Sequence, residues 1–191
     1  MHHFWTRLTL LLLSICSGYR ALPTTRHSAE ATAGQVATVL HVRVRQLLDL
    51  FIKEKLGGDA LMGEHQLATL PELAGSAADL ESVQADETLP KMSRDLRTYE
   101  RHLTWLRSTK PIAHTALDDR ITEVLALMRN LANRVEQEMR RLKLSPSTAE
   151  ALLPSDGTEW ATLRAGFVIL RDLRTFINKT AHELLVLKLR R

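Results

Sequence analysis

The tract His182-Glu183-Leu184-Leu185-Val186 contains the residue types that open a zinc-protease helix motif. In that motif, two histidines four positions apart bind the metal and a glutamate between them acts as the base. Here Val186 stands where the second histidine is required. The chain also lacks the Glu-x-x-His pair of bundle di-iron sites, and its histidines after residue 18 are never three or four positions apart. We therefore expect neither a zinc nor an iron centre.

Motifs for other kinds of catalysis are missing from the sequence. It contains no P-loop, no Gly-x-Ser-x-Gly turn and no glycine-rich dinucleotide turn. A catalytic site built from distant residues would leave no local motif, but no residue pattern points to one. We expect a protein that acts by binding, without enzymatic activity and without a cofactor.

One modification motif is present, the N-glycosylation acceptor Asn178-Lys179-Thr180. It falls in the middle of a segment with helical periodicity, where the extended conformation of an acceptor is hard to reach. The sequence leaves open whether Asn178 carries a glycan. A glycan there would obstruct any partner that docks on the same helix face.

The N-terminal residues have the layout of a secretory signal peptide. Arg7 precedes the apolar stretch LTLLLLSIC, which is too short to span a bilayer. We predict a signal peptide over residues 1–18, with cleavage as late as residue 21 as the second choice, and a mature domain over residues 19–191. The only cysteine, Cys16, lies in the removed part, so the secreted product would have no disulfide. No second apolar run approaches the length of a membrane span, so we expect no membrane anchor.

Composition favours one globular domain with a large apolar core. The 191 residues are 45% hydrophobic and 25% charged, with a formal net charge of +4. A basic chain raises the possibility of a nucleic-acid or heparin partner, but basic pairs such as Lys53 and Lys55, or Arg140 and Arg141, fall where helices are expected to end. Cations at those ends complement the helix dipole. We expect no nucleic-acid partner.

Four segments repeat apolar residues with the period of a helix, and none alternates like a strand. Pro90 suits the first turn of a helix, where its missing N–H has no bond to lose, and Gly57-Gly58 suits a helix stop. The sequence predicts an all-α fold, a long-chain four-helix bundle. The expected bounds of the helices are about Ala33 to Leu56, Pro90 to Ser108, Thr115 to Leu144, and Thr158 to about Leu189.

Unequal connections predict how the four helices are joined. Only the six residues TKPIAH separate the second helix from the third, so these two should be antiparallel neighbours. Roughly thirty residues join the first helix to the second, and thirteen join the third to the fourth. A thirteen-residue segment reaches roughly 43 Å when extended, similar to the roughly 40 Å length of a 27-residue helix. Two such crossovers predict up-up-down-down topology.

Two tryptophans follow residue 18, and they differ in their relation to the core. Trp160 projects roughly 130° from the centre of the apolar stripe of its helix, at 100° per residue. Its ring either folds onto the first long connection, against Leu67, Leu70 or Leu73, or forms an exposed binding anchor. The residues alone support both interpretations equally. Trp105 lies beside core positions, so we expect its role to be mainly structural.

Several tracts resemble a known family. They are EHQLATLPELAGSAADLESVQ (residues 64–84), LPKMSRDLRTYERHLTWLRS (residues 89–108), EWATLRAGFVILRDL (residues 159–173) and LLVLKLR (residues 184–190). They resemble the interleukin-11 family, within the interleukin-6 group of long-chain helical cytokines. The resemblance implies a secreted, extracellular signalling ligand that is monomeric when free. Such a ligand engages a specific alpha receptor through one surface and two copies of a shared signal-transducing receptor through two others.

The resemblance, combined with helical-wheel positions, assigns residues to three surfaces. It implies that His182 occupies the place of an arginine important in the family, and that Trp160 belongs to the third surface. The alpha-receptor surface is expected to contain Arg171, Arg174, Thr175, Asn178 and His182. The second surface, for one copy of the shared receptor, is expected to contain Val42, Arg45, Asp49, Ala126, Asn130 and Arg134. The third surface, for the other copy, is expected to contain Trp160, Leu70 and Leu73.

A secreted lipid-binding carrier is the alternative. Amphipathic helices without disulfides can open on a lipid surface, and apolar stripes alone do not separate such a carrier from a packed bundle. Internal repeats would favour the carrier, and the sequence contains none. Cooperative thermal unfolding without lipid would favour the packed bundle.

Overall fold

Four α-helices make up most of the described part of the protein. The computed structural model describes residues 32–58, 65–73, 83–147, 152–154 and 157–189, and within these ranges it contains no strand. The all-α prediction is therefore confirmed, whereas the predicted signal peptide and its cleavage point lie outside the described residues. The helices are α1 (Ala33–Lys55), α2 (Ala85–Ser108), α3 (Ala116–Arg141) and α4 (Glu159–Leu189).

Local chemistry sets both ends of α1. The Thr32 side chain accepts a hydrogen bond from the Gln35 amide at 3.3 Å, and the Gln35 side chain accepts one from the Thr32 amide at 2.7 Å. This capping box satisfies two N–H groups that have no partner inside the helix. At the other end, Gly57 and Gly58 have φ values of +66° and +88°, and the Gly58 amide donates to the Ile52 carbonyl. The predicted glycine stop is confirmed.

The predicted start of α2 is wrong, because the helix begins five residues before Pro90. Pro90 therefore lies in the second turn, where its missing N–H removes a helical bond to the Asp86 carbonyl. Tertiary packing compensates for that loss, since Leu89 and Met92 on either side are buried.

The helix α3 ends at Arg141, three residues before the predicted Leu144. Lys143 adopts φ +59°, and the Leu144 amide donates to the Met139 carbonyl at 2.9 Å. This bond satisfies a carbonyl of the last turn after the chain has left the helix. The prediction from periodicity placed the helix end too late, because Leu144 packs against the core and so continues the apolar pattern beyond the helix.

The two ends of the bundle reveal the helix directions. A cavity of about 680 Å³ at one end is lined by Gln35 and Leu89, near the starts of α1 and α2, and by Glu138 and Leu185, near the ends of α3 and α4. Thus α1 and α2 run away from this end, whereas α3 and α4 run towards it. Each helix contacts two others: α1 and α2 both pack against α3 and α4. These contacts are those of a four-helix bundle.

Three helices come close together towards the opposite end, at Gly166 of α4. A Cβ atom at this position would lie 2.8 Å from Leu106 Cδ1 of α2 and 3.0 Å from Phe51 Cζ of α1. Both neighbours are fully buried. Glycine therefore lets three helices meet at a distance that a larger residue would prevent.

Candidate functional site

Trp160 is exposed at the start of α4. Its exposed fraction is 59%, although its first helical turn is well ordered by the Thr158 hydroxyl, which accepts from the Ala161 amide at 3.2 Å. Leu67, Leu70 and Leu73 instead pack against the core as half-buried side chains. Of the two arrangements expected for the Trp160 ring, the structure contains the exposed one. An exposed tryptophan on a rigid helix has the properties of a binding anchor.

Two polar contacts attach the first long connection to the bundle. The Thr69 hydroxyl lies 3.0 Å from His102 Nε2 of α2, and Arg171 Nη2 of α4 donates to the His65 carbonyl at 2.8 Å. These contacts lie on either side of Leu67 and fix the connection over the end of the core. Leu70 follows Thr69 directly and is half-buried, so only part of its side chain is available to a partner.

The strip predicted for the alpha receptor lies along one face of α4. Thr175, Asn178 and His182 are exposed, whereas Arg171 and Arg174 are half-buried. Arg171 differs from the expected free cation, because its Nε lies 2.8 Å from Asp172 Oδ1 while its Nη2 holds the first connection. It therefore positions the connection, and the exposed part of the strip is formed by the other residues.

A neighbouring residue extends this strip onto α1. Burial lowers the pKa of His41, and the positive charges of Arg45, Arg174 and His182 lower it further. These four side chains therefore form one basic patch across α1 and α4. Sequence patterns did not indicate His41, because its membership of the patch depends on which helix lies beside α4. His41 could be identified only if α1 and α4 were known to be neighbours.

The second predicted surface combines exposed parts of α1 and α3. The two helices are neighbours, and Arg43 Nε of α1 lies 3.0 Å from Glu123 Oε1 of α3. Arg134 is half-buried and donates to the Asn130 side chain at 2.9 Å. The remaining predicted residues are all exposed, with Val42 at 40%: Val42, Arg45, Asp49 and Ala126. The structure thus brings both halves of the predicted surface to adjacent helices.

An ion-pair network on α2 and α3 lies outside all three predicted surfaces. Glu100 receives hydrogen bonds from Arg97 at 3.0 Å and from Arg129 at 2.6 Å, and Arg97 also donates to Glu136 at 2.7 Å. Burial alone would raise the pKa of Glu100, but the bonds from the two arginines outweigh burial and lower it. This network fastens α2 to α3.

The zinc-like tract has no partner residues to form a metal centre. His182 Nδ1 lies 2.8 Å from the carbonyl oxygen of Asn178 in the preceding turn, and its ring is exposed. Across the part of the chain that the structure describes, no group of three histidine, cysteine, aspartate or glutamate side chains converges. None of the described helices combines the length and apolar character needed to cross a membrane.

Comparison with known proteins identifies the family of this chain. A family model described as Interleukin 11 matches residues 22–191. The chain belongs to the interleukin-11 family. Interleukin-11 from Macaca fascicularis, Mus musculus and Rattus norvegicus is in each case 30% identical over 197 aligned positions, which cover 96% of this chain and 97% of the relative. The protein is therefore an interleukin-11-like helical cytokine.

Proposed function

We propose that this protein is a secreted, extracellular cytokine that assembles an interleukin-11-type alpha receptor with two copies of the shared signal-transducing receptor. The observation that carries the proposal is the exposed ring of Trp160, at the position that the family resemblance gives to the third receptor surface. A large apolar side chain in water has no stabilising role in the isolated bundle, but it gains much from burial in an interface.

The alpha receptor binds the strip of Arg174, Thr175, Asn178 and His182, extended by His41 on α1. Supporting this assignment, the strip is polar, largely exposed and positively charged. A receptor surface that carries carboxylates would complement these charges.

The second and third surfaces bind the two copies of the shared receptor. The second surface uses the neighbouring faces of α1 and α3, where Val42 provides an exposed apolar contact among polar side chains. The third surface uses Trp160, together with the exposed parts of the half-buried Leu70 and Leu73 in the first connection. Among the described residues α3 and α4 make no contact with each other, whereas α1 packs against both.

Reconstitution of the receptor complex tests this proposal. The mature chain is mixed with the extracellular parts of an interleukin-11-type alpha receptor and of the shared receptor, and masses are measured by light scattering after size exclusion. We expect a monomer when the chain is alone, a pair with the alpha receptor, and a larger complex with two shared-receptor copies per cytokine. Failure of the shared receptor to join the pair would overturn the proposal.

Lipid binding serves as the competing outcome. The mature chain is heated with and without phospholipid vesicles, and helicity is followed by circular dichroism. We expect one sharp, cooperative transition without lipid, because the apolar faces are buried against one another. A broad transition together with lipid-induced helicity would support the carrier instead.

A further inference from the structure

The Thr180 side chain lies in the core, and its hydroxyl is unbonded among the described residues. Thr180 is 0% exposed, and its Oγ1 has no hydrogen-bond partner within the described ranges. A buried hydroxyl without a partner lowers stability, and a valine of the same shape would avoid that cost. The Tyr99 hydroxyl is also without a partner, but the Tyr99 ring stacks on Phe176 with 5.0 Å between ring centroids. The aromatic ring explains Tyr99, whereas nothing in the fold explains the Thr180 hydroxyl.

The acceptor tripeptide gives that hydroxyl a use. Asn178, two positions earlier, is exposed on α4, and Asn178-Lys179-Thr180 requires the hydroxyl for recognition as an acceptor. In the folded helix the two side chains differ sharply, since the asparagine faces water and the threonine faces the core. The folded protein is therefore not a substrate for the glycosyl transfer, although the unfolded segment is.

We propose that Asn178 is N-glycosylated before α4 packs into the bundle, and that the glycosylated form no longer binds the alpha receptor. This inference rests on the proposed function, because it concerns the surface assigned to that receptor. Secretion would then deliver two forms of one chain, and the competition between folding and glycosyl transfer would set their ratio.

The transfer uses an oligosaccharide that is linked through pyrophosphate to a membrane lipid. The side-chain nitrogen of Asn178 forms a bond to the first sugar carbon, and the bond from that carbon to the pyrophosphate oxygen breaks. The lipid pyrophosphate leaves, and the nitrogen loses one proton. No oxidant or reductant is required.

The position of Asn178 explains the expected loss of binding. His182 Nδ1 lies 2.8 Å from the Asn178 carbonyl oxygen, so the His182 ring sits against the turn that carries the glycan. Thr175 lies on the same face about one turn earlier, roughly 4.5 Å along the helix axis. A glycan between these two residues would cover the middle of the alpha-receptor strip. The third surface lies away from it, at the other end of α4, whereas the second surface meets the basic patch at Arg45.

Intact mass tests whether the glycan is present. The chain is secreted from cultured animal cells behind a leader of known function, and its mass is measured before and after treatment with an N-glycosidase. We expect a glycan on part of the product, retained in Thr180→Ser and absent from both Asn178→Gln and Thr180→Val. Thr180→Val should unfold at the same temperature as the wild type or above it. Absence of a glycan from the wild type would overturn the proposal.

A second measurement tests the order of modification and folding. Folded, unmodified protein from bacteria is incubated with endoplasmic-reticulum membranes that contain the transferase and its lipid donor, and we expect no transfer. In secreting cells, Leu173→Ala should raise the glycosylated fraction, because truncation of this buried leucine destabilises the bundle. Modification of the folded protein would contradict the proposed order.

Receptor binding completes the test. Glycosylated and unmodified forms are separated on a lectin column, and their affinities for an interleukin-11-type alpha receptor are compared by surface plasmon resonance. We expect at least a tenfold weaker affinity for the glycosylated form and restoration by the glycosidase. Equal affinities would overturn this inference and leave the proposed function standing. If part of the secreted product carries the glycan but the unmodified form does not bind the receptor, the result counts against the proposed function instead.

Discussion

The Nε2 atom of His102 on α2 lies 3.0 Å from the hydroxyl of Thr69 in the first long connection. The other ring nitrogen, Nδ1, lies 2.9 Å from the Thr98 carbonyl, so both sides of a fully buried imidazole have partners. Because the Thr98 carbonyl can only accept, Nδ1 carries a proton, and a neutral ring then accepts from Thr69 at Nε2. This one side chain joins the core of α2 to the segment that carries Leu70.

His102 should make folding stability depend on pH. Burial lowers the pKa of His102 below its usual 6.5, although the bond to Thr98 opposes this effect. The unfolded chain therefore takes up a proton as pH falls through about 6.5, whereas the folded protein stays neutral there. We expect the free energy of unfolding to decrease between pH 7.5 and pH 5.5 in urea titrations. His102→Gln should show a shallower decrease, and His65→Gln, which changes an exposed histidine, should behave like the wild type.

Asp95 should affect the pH dependence of folding stability in the opposite direction. Burial raises the pKa of Asp95 above its usual 3.8, and the ion pair with Arg94 only partly offsets this. A raised pKa gives stability that is present below pH 3.8 and is lost as pH rises through the folded value. We expect Asp95→Asn to be more stable than the wild type at pH 7, and the difference to shrink below pH 4. A variant that is less stable at pH 7 would show that the Arg94 pair outweighs burial.

Trp160→Ala should separate signalling from folding. The side chain is mostly exposed, so we expect the free energy of unfolding to change by at most about 0.5 kcal/mol. Signalling in responsive cells should fall at least tenfold while alpha-receptor affinity stays unchanged. Leu152→Ala, which removes another exposed apolar side chain, is the matched control and should signal normally. Unreduced signalling by Trp160→Ala, or an equal loss of alpha-receptor affinity, would refute the assignment.

Trp105→Ala should have the reverse effect. Trp105 is half-buried against the core of α2 and lines a surface groove with Leu153. Its truncation should lower the free energy of unfolding by about 2 kcal/mol, less than for a fully buried tryptophan. Alpha-receptor affinity of the remaining folded protein should not change. An unchanged unfolding midpoint in urea would show that Trp105 does not stabilise the core and that its role lies in the surface groove.

His182→Asp should weaken binding of the alpha receptor without affecting the fold. The ring is exposed on the same face as the positive charge of Arg174, so a carboxylate would place a negative charge within the basic patch. We expect an affinity loss of about tenfold, or roughly 1.4 kcal/mol. His114→Asp makes the same change in the connection from α2 to α3 and should bind normally. Retained affinity in His182→Asp would remove this residue from the surface.

Periodicity predicted the interior of the bundle well, because burial of one helix face is encoded in the spacing of apolar residues. The errors arose at helix ends. Pro90 suits a first turn by its chemistry, yet tertiary packing of Leu89 and Met92 keeps the helix intact around it. Leu144 continues the apolar pattern of α3, although its backbone has already left the helix.

Contacts between distant segments were beyond the reach of sequence patterns. The bond from Arg171 to the His65 carbonyl joins residues 106 positions apart, so a helical wheel shows Arg171 only as an exposed cation. His41 enters the basic patch for the same reason. The exposure of Trp160 was predictable as an angle on the helix, but the choice between its two interpretations needed the position of the first connection.

Gly166 is buried, yet it affects the position of the exposed Trp160 on the same helix. Trp160 lies six residues before it on the same helix, about 9 Å along the axis. Because α4 approaches α1 and α2 at Gly166 more closely than a methyl group would allow, the side chain at this position sets where the start of α4 stands relative to the rest of the bundle. Substitution by alanine would act as a wedge that tilts the start of α4, and the exposed ring of Trp160 would change its position relative to the other three helices.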